Sequence, residues 1–283
     1  MFSKSFIFSG LALAAPIFAL AAWGEARPTR VPMADARVVG LMVPVSADGI
    51  RKWKMSAPDR RFGGVSALVM DGGDLLGLTD SGVTVRFRPP NDGDGQVELR
   101  LHDLPDGPGN VERKRGRDSE ALLADPAGSG WWVAFEGDHS LWRFDKEFER
   151  VLESRKLDRR WPSNRGAEAL MATSDGRVVA LPEGGNDIAP AGTSDATRLP
   201  DGRLALLVRR FGWRGFVNEV RISGGANKPP VTLTLPLGPL DNAEAITAAP
   251  LPDGGTRLWI MTDDNFRPWM RALLIALDLP PSA

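Results

Sequence analysis

Asn164 to Gly185 reads N-R-G-A-E-A-L-M-A-T-S-D-G-R-V-V-A-L-P-E-G-G. Two short apolar runs flank Asp175-Gly176, a pair that suits a two-residue hairpin turn because both central positions tolerate positive φ. With that pair at the tip, Ser174 faces Arg177 and Glu168 faces Glu183. Two carboxylates opposed across a hairpin repel each other. Either an arginine or a metal ion must offset them, and Arg165 stands just before the first strand.

The same unit recurs along the chain. Ser66-Ala-Leu leads around Asp71–Asp74 to Asp80, and Glu120-Ala-Leu leads around 126–130 to Glu136. Asp195-Ala-Thr leads through Asp201-Gly202 to Val208 and Arg209, and Glu244-Ala-Ile leads through Asp253-Gly254 to Asp263 and Asp264. Each unit has a small polar or acidic starter, an alanine, an apolar strand, a glycine turn and a returning strand. A repeat of this length decides the architecture. Further strands follow the hairpins at 83–88 and 96–101, at 141–145 and 148–155, at 216–222 and 231–235, and at 272–279. Only 186–193 follows the third hairpin.

Four antiparallel strands in units of about 50 residues describe an all-β β-propeller. The starters at 66, 120, 168, 195 and 244 give five blades, and the short third step marks a degenerate one. Six blades are the alternative, if 46–62 holds strands. The last blade lacks an outer strand, which Ala36–Val45 can supply to close the ring. A β-sandwich would not require the repeated hairpin.

The rest of the composition narrows the chemistry. The chain has 283 residues, net charge −1, 31 Gly, 23 Pro and no Cys. Disulfides, thiolate metal sites and a cysteine nucleophile are therefore excluded. No global field favours nucleic acid. Lys4 precedes an apolar run from Ser5 to about Trp23, and Ala19-Leu20-Ala21 fits cleavage. Residues 1–21 read as a signal peptide, with an uncleaved anchor as the alternative, and 22–35 as a linker. Residues 36–283 then form one domain, expected to be monomeric, in the periplasm or outside a bacterial cell, with no later membrane span.

In a propeller the starters of the first strands and the ends of the second strands meet at one channel mouth. Ser66, Glu120, Glu168, Asp195 and Glu244 should ring the channel, with Asp80, Glu136, Glu183 and Asp263 or Asp264 just outside. Arg165, Arg209, Arg210, Arg214 and Arg267 fall on the same face. Carboxylates at the centre suit Ca2+ or Mg2+, and arginines around them suit a phosphate or carboxylate. The same arginines could instead neutralise the acids as a polar plug that holds blade register.

Certain stretches resemble the phytase-like family, described as having esterase-like activity. They are D-S-E-A-L (118–122) with W-V-A-F-E-G (132–137) and L-W-R-F-D (141–145), N-R-G-A-E-A-L (164–170), and D-N-A-E-A-I (241–246) with D-D-N-F (263–266). The resemblance implies a secreted propeller and a phosphoester or ester hydrolase. Ser66, in place of an acid, and the shortened third blade depart from the pattern. The expected mechanism is Ca2+-assisted hydrolysis. Glu120, Glu168, Glu244, Asp263 and Asp264 hold the ion, while Glu183, Glu136 or His139 acts in proton transfer. Asn164, Arg165, Arg209 and Asn265 bind a small anionic substrate. Of the two histidines, His102 lies on an outer strand, and no G-x-S-x-G elbow is present to support a serine triad. The competing expectation is a non-catalytic platform for an anionic ligand or a partner protein, with Trp131, Trp161, Trp213 and Trp269 near its loops.

Overall fold

The computed structural model describes residues 35–45, 50–90, 95–109, 117–157, 161–162, 166–225 and 229–281. The N-terminal segment assigned to export and linker, through 34, lies outside them. Among the described residues every regular element is a strand, and no helix is long and apolar enough to cross a membrane.

The protein is a five-bladed β-propeller. Two N-terminal strands, β1 (Ala36–Val45) and β2 (Arg51–Ser56), precede the blades. Blade 1 holds β3 (Val65–Asp71), β4 (Asp74–Thr79), β5 (Val83–Phe87) and β6 (Gln96–Asp103). Blade 2 holds β7 (Ser119–Ala124), β8 (Trp131–Phe135), β9 (Ser140–Phe144) and β10 (Val151–Lys156). Blade 3 is the degenerate one, with only β11 (Ala167–Ala172) and β12 (Val178–Pro182). Blade 4 holds β13 (Thr193–Arg198), β14 (Leu204–Gly212), β15 (Gly215–Ile222) and β16 (Val231–Thr234). Blade 5 holds β17 (Asn242–Pro250), β18 (Thr256–Asp263) and β19 (Leu273–Leu279). The innermost strands β3, β7, β11, β13 and β17 pack in that order, and β17 returns to β3.

Closure differs from the sequence expectation. The strand that pairs with β19 and completes blade 5 is β2, which lies within 46–62 and joins the fifth blade instead of starting a sixth. β1 pairs with β2 on one edge and with β6 of blade 1 on the other, so it ties the first blade to the last from outside. Lys52 is accommodated because its Nζ donates to the Pro236 carbonyl at 2.7 Å. Trp53 and Met55 turn inward.

Apolar packing follows the blades. A separate buried cluster fills each of the five interfaces, from Ala67, Leu78 and Val133 between blades 1 and 2 to Met42, Trp53, Leu68 and Trp259 between blades 5 and 1. The alanines after the starters, Ala67, Ala121, Ala169 and Ala245, are fully buried where the inner strands converge. Only a small side chain leaves room for strands this close.

Local geometry corrects the register of the opening hairpin. Its turn has three residues, not two: the Thr173 N–H donates to the Arg177 carbonyl at 2.9 Å, and the Gly176 N–H donates to the Thr173 carbonyl at 3.0 Å. Leu199–Arg203 and Leu251–Gly255 repeat these two bonds. In each, only the glycine takes positive φ: 79° at Gly176 and 86° at Gly202 and Gly254. This is the type I turn with a glycine bulge that three-residue hairpins adopt. The true two-residue turn is Asp71-Gly72-Gly73-Asp74, with φ of 58° and 91° at its glycines.

A second irregularity recurs in all five blades. Pairing of first and second strands slips between Val65 and Ala67, Ser119 and Ala121, Ala167 and Ala169, Thr193 and Asp195, and Ala243 and Ala245. The bulged residues are Ser66, Glu120, Glu168, Ser194 and Glu244. Glu168 therefore has no direct partner across the hairpin, and Glu183 pairs back to Gly166. In blade 4 the true starter is Ser194. Asp195 stands where the four other blades have a buried alanine.

Candidate functional site

The bulges place the starters at the mouth. A β-bulge leaves one residue unpaired and re-aims its side chain, here at the same level of every innermost strand. Two starters are serines that stitch blades together. The Ser66 hydroxyl donates to the Ser119 carbonyl at 2.7 Å, and the Ser194 hydroxyl to the Ala243 carbonyl at 3.0 Å. The other three are Glu120, Glu168 and Glu244.

A second ring follows from the same register. Backbone bonds or strand pairs join Gly64 to Asp80, Asp118 to Glu136, Gly166 to Glu183, Gly192 to Arg209, and Asn242 to Asp263. The second strands thus end at equivalent positions in Asp80, Glu136, Glu183, Arg209 and Asp263. Four are acids. Blade 4 substitutes an arginine, and that exchange organises the charge.

Arg209 bridges three blades. Its Nη1 donates to the Asn242 side-chain carbonyl at 2.9 Å and to the Glu244 carboxylate, and its Nη2 lies 3.8 Å from Glu183. Asn242 also donates to Glu244 at 2.6 Å. The counter-ion sought for the Glu168–Glu183 hairpin is therefore Arg209, across the mouth. Arg165 and Asn164, expected to bind substrate, lie outside the described residues.

Three carboxylates gather on blade 2. Asp118, Glu120 and Glu136 each offer one oxygen, and these oxygens lie within 4.8 Å of one another. Two ligands on opposite sides of a calcium ion are separated by about 5 Å, so this spacing suits a hard cation. The all-oxygen donor set fits Ca2+ or Mg2+ better than a softer metal. Glu136 also accepts the Gly166 N–H at 3.1 Å, which couples this group to the start of blade 3.

Glu168 stands between the trio and Arg209. It is 5% exposed, and among the described residues no hydrogen bond reaches its carboxyl group. Burial pushes its pKa up to about 8; Arg209 opposes the shift, and Glu136, Glu183 and Asp118 reinforce it. Near neutral pH this carboxyl holds a proton.

The remaining expected ligands belong elsewhere. Glu244 is engaged by Arg209 and Asn242. Asp263 accepts the Asn265 N–H at 2.6 Å. One Asp264 oxygen accepts the Gly64 and Phe266 N–H groups, each at 3.0 Å, and so fastens the loop after β18 to the start of blade 1. Burial raises the Asp264 pKa; those N–H groups oppose the shift and Asp80 adds to it. Asn265 and Phe266 both have positive φ, at 49° and 51°. Asp195 is stapled to blade 5: its oxygens accept the Ala196 and Ile246 N–H groups, each at 2.7 Å.

His139 sits in the turn after β8 with φ of 47°. Its ring packs edge-on against Trp161 at 6.1 Å, and its two nitrogens are buried without a hydrogen-bond partner among the described residues. Among the described residues nothing orients it as a base. His102 is remote, placed between Asp35 and the Phe148 carbonyl.

Comparison with known proteins joins this geometry to the sequence motifs. Residues 60–193 match the phytase-like family, described as esterase-like activity of phytase. That stretch contains the carboxylate trio and Glu168. No curated protein matches the chain. A putative 6-phosphogluconolactonase from Bacteroides fragilis aligns with 14% identity over 89% of this chain and 83% of its own, with a TM-score of 0.33. The Cps50 (Swd1) β-propeller domain of Myceliophteria thermophila aligns with 10% identity over 84% of this chain and 99% of its own, with a TM-score of 0.35. The chain spans 66% of a hydrazine synthase chain from Kuenenia stuttgartiensis, with 77% of its own length aligned, 14% identity and a TM-score of 0.36.

Sequence reasoning missed Asp118 as a ligand. Its signal was available, since Asp118 and Glu120 flank Ser119 and share one face of an extended strand. The equivalent positions in other blades are Gly64, Gly166, Gly192 and Asn242, so a search for what repeats passes over it.

Proposed function

We propose that the protein is an extracytoplasmic, Ca2+-assisted hydrolase of small anionic phosphoesters or esters, with its centre on blade 2 at the channel mouth. The observation that carries this reading is the convergence of Asp118, Glu120 and Glu136 beside the buried Glu168. These three carboxylates would hold the ion, which when bound would supply charge neutralisation and a template that orients substrate and water.

The chain's own groups divide the remaining work. Glu136 shifts from the expected base to a ligand, which leaves Glu183 as the base at the mouth. Glu168 holds a proton at its carboxyl and can give it to a departing alkoxide, the role a raised carboxyl pKa suits. Arg209 is engaged by Glu244 and Asn242 through Nη1, so it fixes the acids in place and orients the mouth. Asn164 and Arg165 remain the proposed contacts to substrate oxygens.

The test is calcium-dependent thermal stabilisation of the purified chain, followed by turnover on a phosphoester and ester panel. Glu120→Gln should remove both the calcium response and at least 100-fold of the turnover. Calcium stabilisation with no hydrolysis anywhere on the panel would instead favour a platform that binds an anionic ligand. Neither stabilisation nor hydrolysis would return the cluster to a purely structural role.

A further inference from the structure

The mouth carries a feature that hydrolysis does not use. β14 continues past Arg209 to Gly212, and β15 returns from Gly215, paired residue for residue from Arg209↔Asn218 to Gly212↔Gly215. The hairpin tip, Trp213, lies about 13 Å beyond Arg209 at roughly 3.3 Å per residue. In blades 1 and 2 the third strand begins at Val83 and Ser140, close behind Asp80 and Glu136. Phe211 is 61% exposed and Trp213 is 82% exposed.

Two more segments extend this apolar rim. The Phe216 N–H donates to the Pro239 carbonyl at 2.9 Å, which docks the hairpin on the connector into blade 5, where Leu240 is 49% exposed. Asp241 of that connector holds Arg271 at 2.9 Å. The loop containing Arg271 carries Trp269, which is 52% exposed. Each exposed tryptophan is covered by an arginine of its own loop: Arg214 lies 4.4 Å from the Trp213 ring centre, and Arg267 lies 5.7 Å from that of Trp269.

The charge of the rim is cationic. Glu219 is neutralised by Arg210 and Arg221, and Asp241 by Arg271. Among the described residues Arg214 has no ion-pair partner. Protruding aromatics do not line a cavity, so a small ligand gains little from them. Aromatic rings flanked by arginines match the water–lipid boundary, where amphipathic rings and cations settle together. A projection of this height also suits the depth of about 5–10 Å to which interfacial elements enter.

We propose that the rim formed by Phe211, Trp213, Leu240 and Trp269, with Arg214, docks the channel mouth onto an anionic lipid surface. The absence of cysteine makes the test direct, because one introduced thiol labels uniquely. The full chain is labelled with a polarity-sensitive fluorophore at Leu240→Cys, or at Ser174→Cys on the opposite face as reference. It is then mixed with phosphatidylcholine vesicles, with and without phosphatidylglycerol and a spin-labelled lipid quencher. The Leu240 label should shift to the blue and be quenched at least threefold more than the Ser174 label, and only with phosphatidylglycerol present. Trp213→Ala with Trp269→Ala should weaken vesicle binding at the rim at least tenfold, and Arg214→Gln about fivefold. Equal behaviour of the two labels, an equal response on phosphatidylcholine alone, or an unchanged response in the double tryptophan variant would overturn the proposal. So would a tryptophan variant that alters only the KM for a soluble substrate. Because the readout is local to the rim, its failure is separable from failure of the hydrolase reading.

Discussion

Glu168 shows how one residue ties fold to pH. Its carboxyl is buried at a bulge, faces Arg209 from a distance, and shares the mouth with Glu136, Glu183 and Asp118, so its pKa rises to about 8 from the ordinary 4.5. A folded-state value above the unfolded one means that the fold holds a proton the unfolded chain releases. The stability associated with that proton is complete below about pH 4.5 and is lost as pH rises toward 8. Chelator-treated protein should therefore lose stability across that window, and Glu168→Gln should flatten the loss. At pH 8.5 the variant should be more stable than the parent by on the order of 3 kcal/mol, and at pH 5 the two should be nearly equal. Urea denaturation at the two pH values measures this; parallel curves for parent and variant would remove Glu168 from the pH dependence. Asp195 behaves differently although burial raises its pKa as well. It accepts two backbone N–H groups and holds blade 4 to blade 5, so its role is mechanical.

At the scale of elements, the repeated hairpin is more uniform than its sequence. The bulge recurs in five blades whether the starter is serine or glutamate, so backbone geometry, not the side chain, sets the position. The sequence showed the periodicity, the strands of blades 1, 2 and 4 and the short third blade, because alternation and glycine turns are local signals. It did not show the bulge, which shifts pairing by one residue without changing composition, nor the extension of β14 to Gly212. Glycines separate the two kinds of constraint. Gly176 has φ of 79° and open space around an added Cβ, whereas Gly192 has φ of 84° and a Cβ there would lie 2.4 Å from the Arg209 carbonyl oxygen. Gly176→Ala should cost about 1 kcal/mol, the ordinary penalty of a left-handed alanine. Gly192→Ala must move backbone against backbone at the ring and should cost more than about 3 kcal/mol. Chemical denaturation of the two variants compares them, and equal costs would mean that blade 4 can slide at the mouth.

Across the whole molecule, the ring is closed by chain ends and not by the blade that reads most weakly. Blade 3 keeps only two strands, yet both of its faces are packed: Ala167 and Leu170 lie against Trp132 and Leu141 of blade 2, and Ala169 and Leu181 against Leu206 and Val208 of blade 4. The closing strand was hard to read because R-K-W-K-M-S alternates cations with apolar residues, and the charges mask the inward pair. Trp53 and Met55 of β2 and Met42 of β1 are all nearly inaccessible and belong to the cluster between blades 5 and 1. At about 2–3 kcal/mol for each large buried side chain, their removal takes away most of the 5–15 kcal/mol typical of a folded domain. A chain beginning at Ala57 should therefore lose its cooperative thermal transition, because β19 and β6 would both be left as open edges. Edge strands of this kind accept a matching segment through backbone pairing. A separate peptide of residues 35–56, added in excess, should restore the transition, and the same peptide with Trp53→Ala should restore it poorly. Circular dichroism melts with and without peptide read the result. A cooperative transition in the shortened chain alone would show that the five inner strands close the ring without their N-terminal clasp.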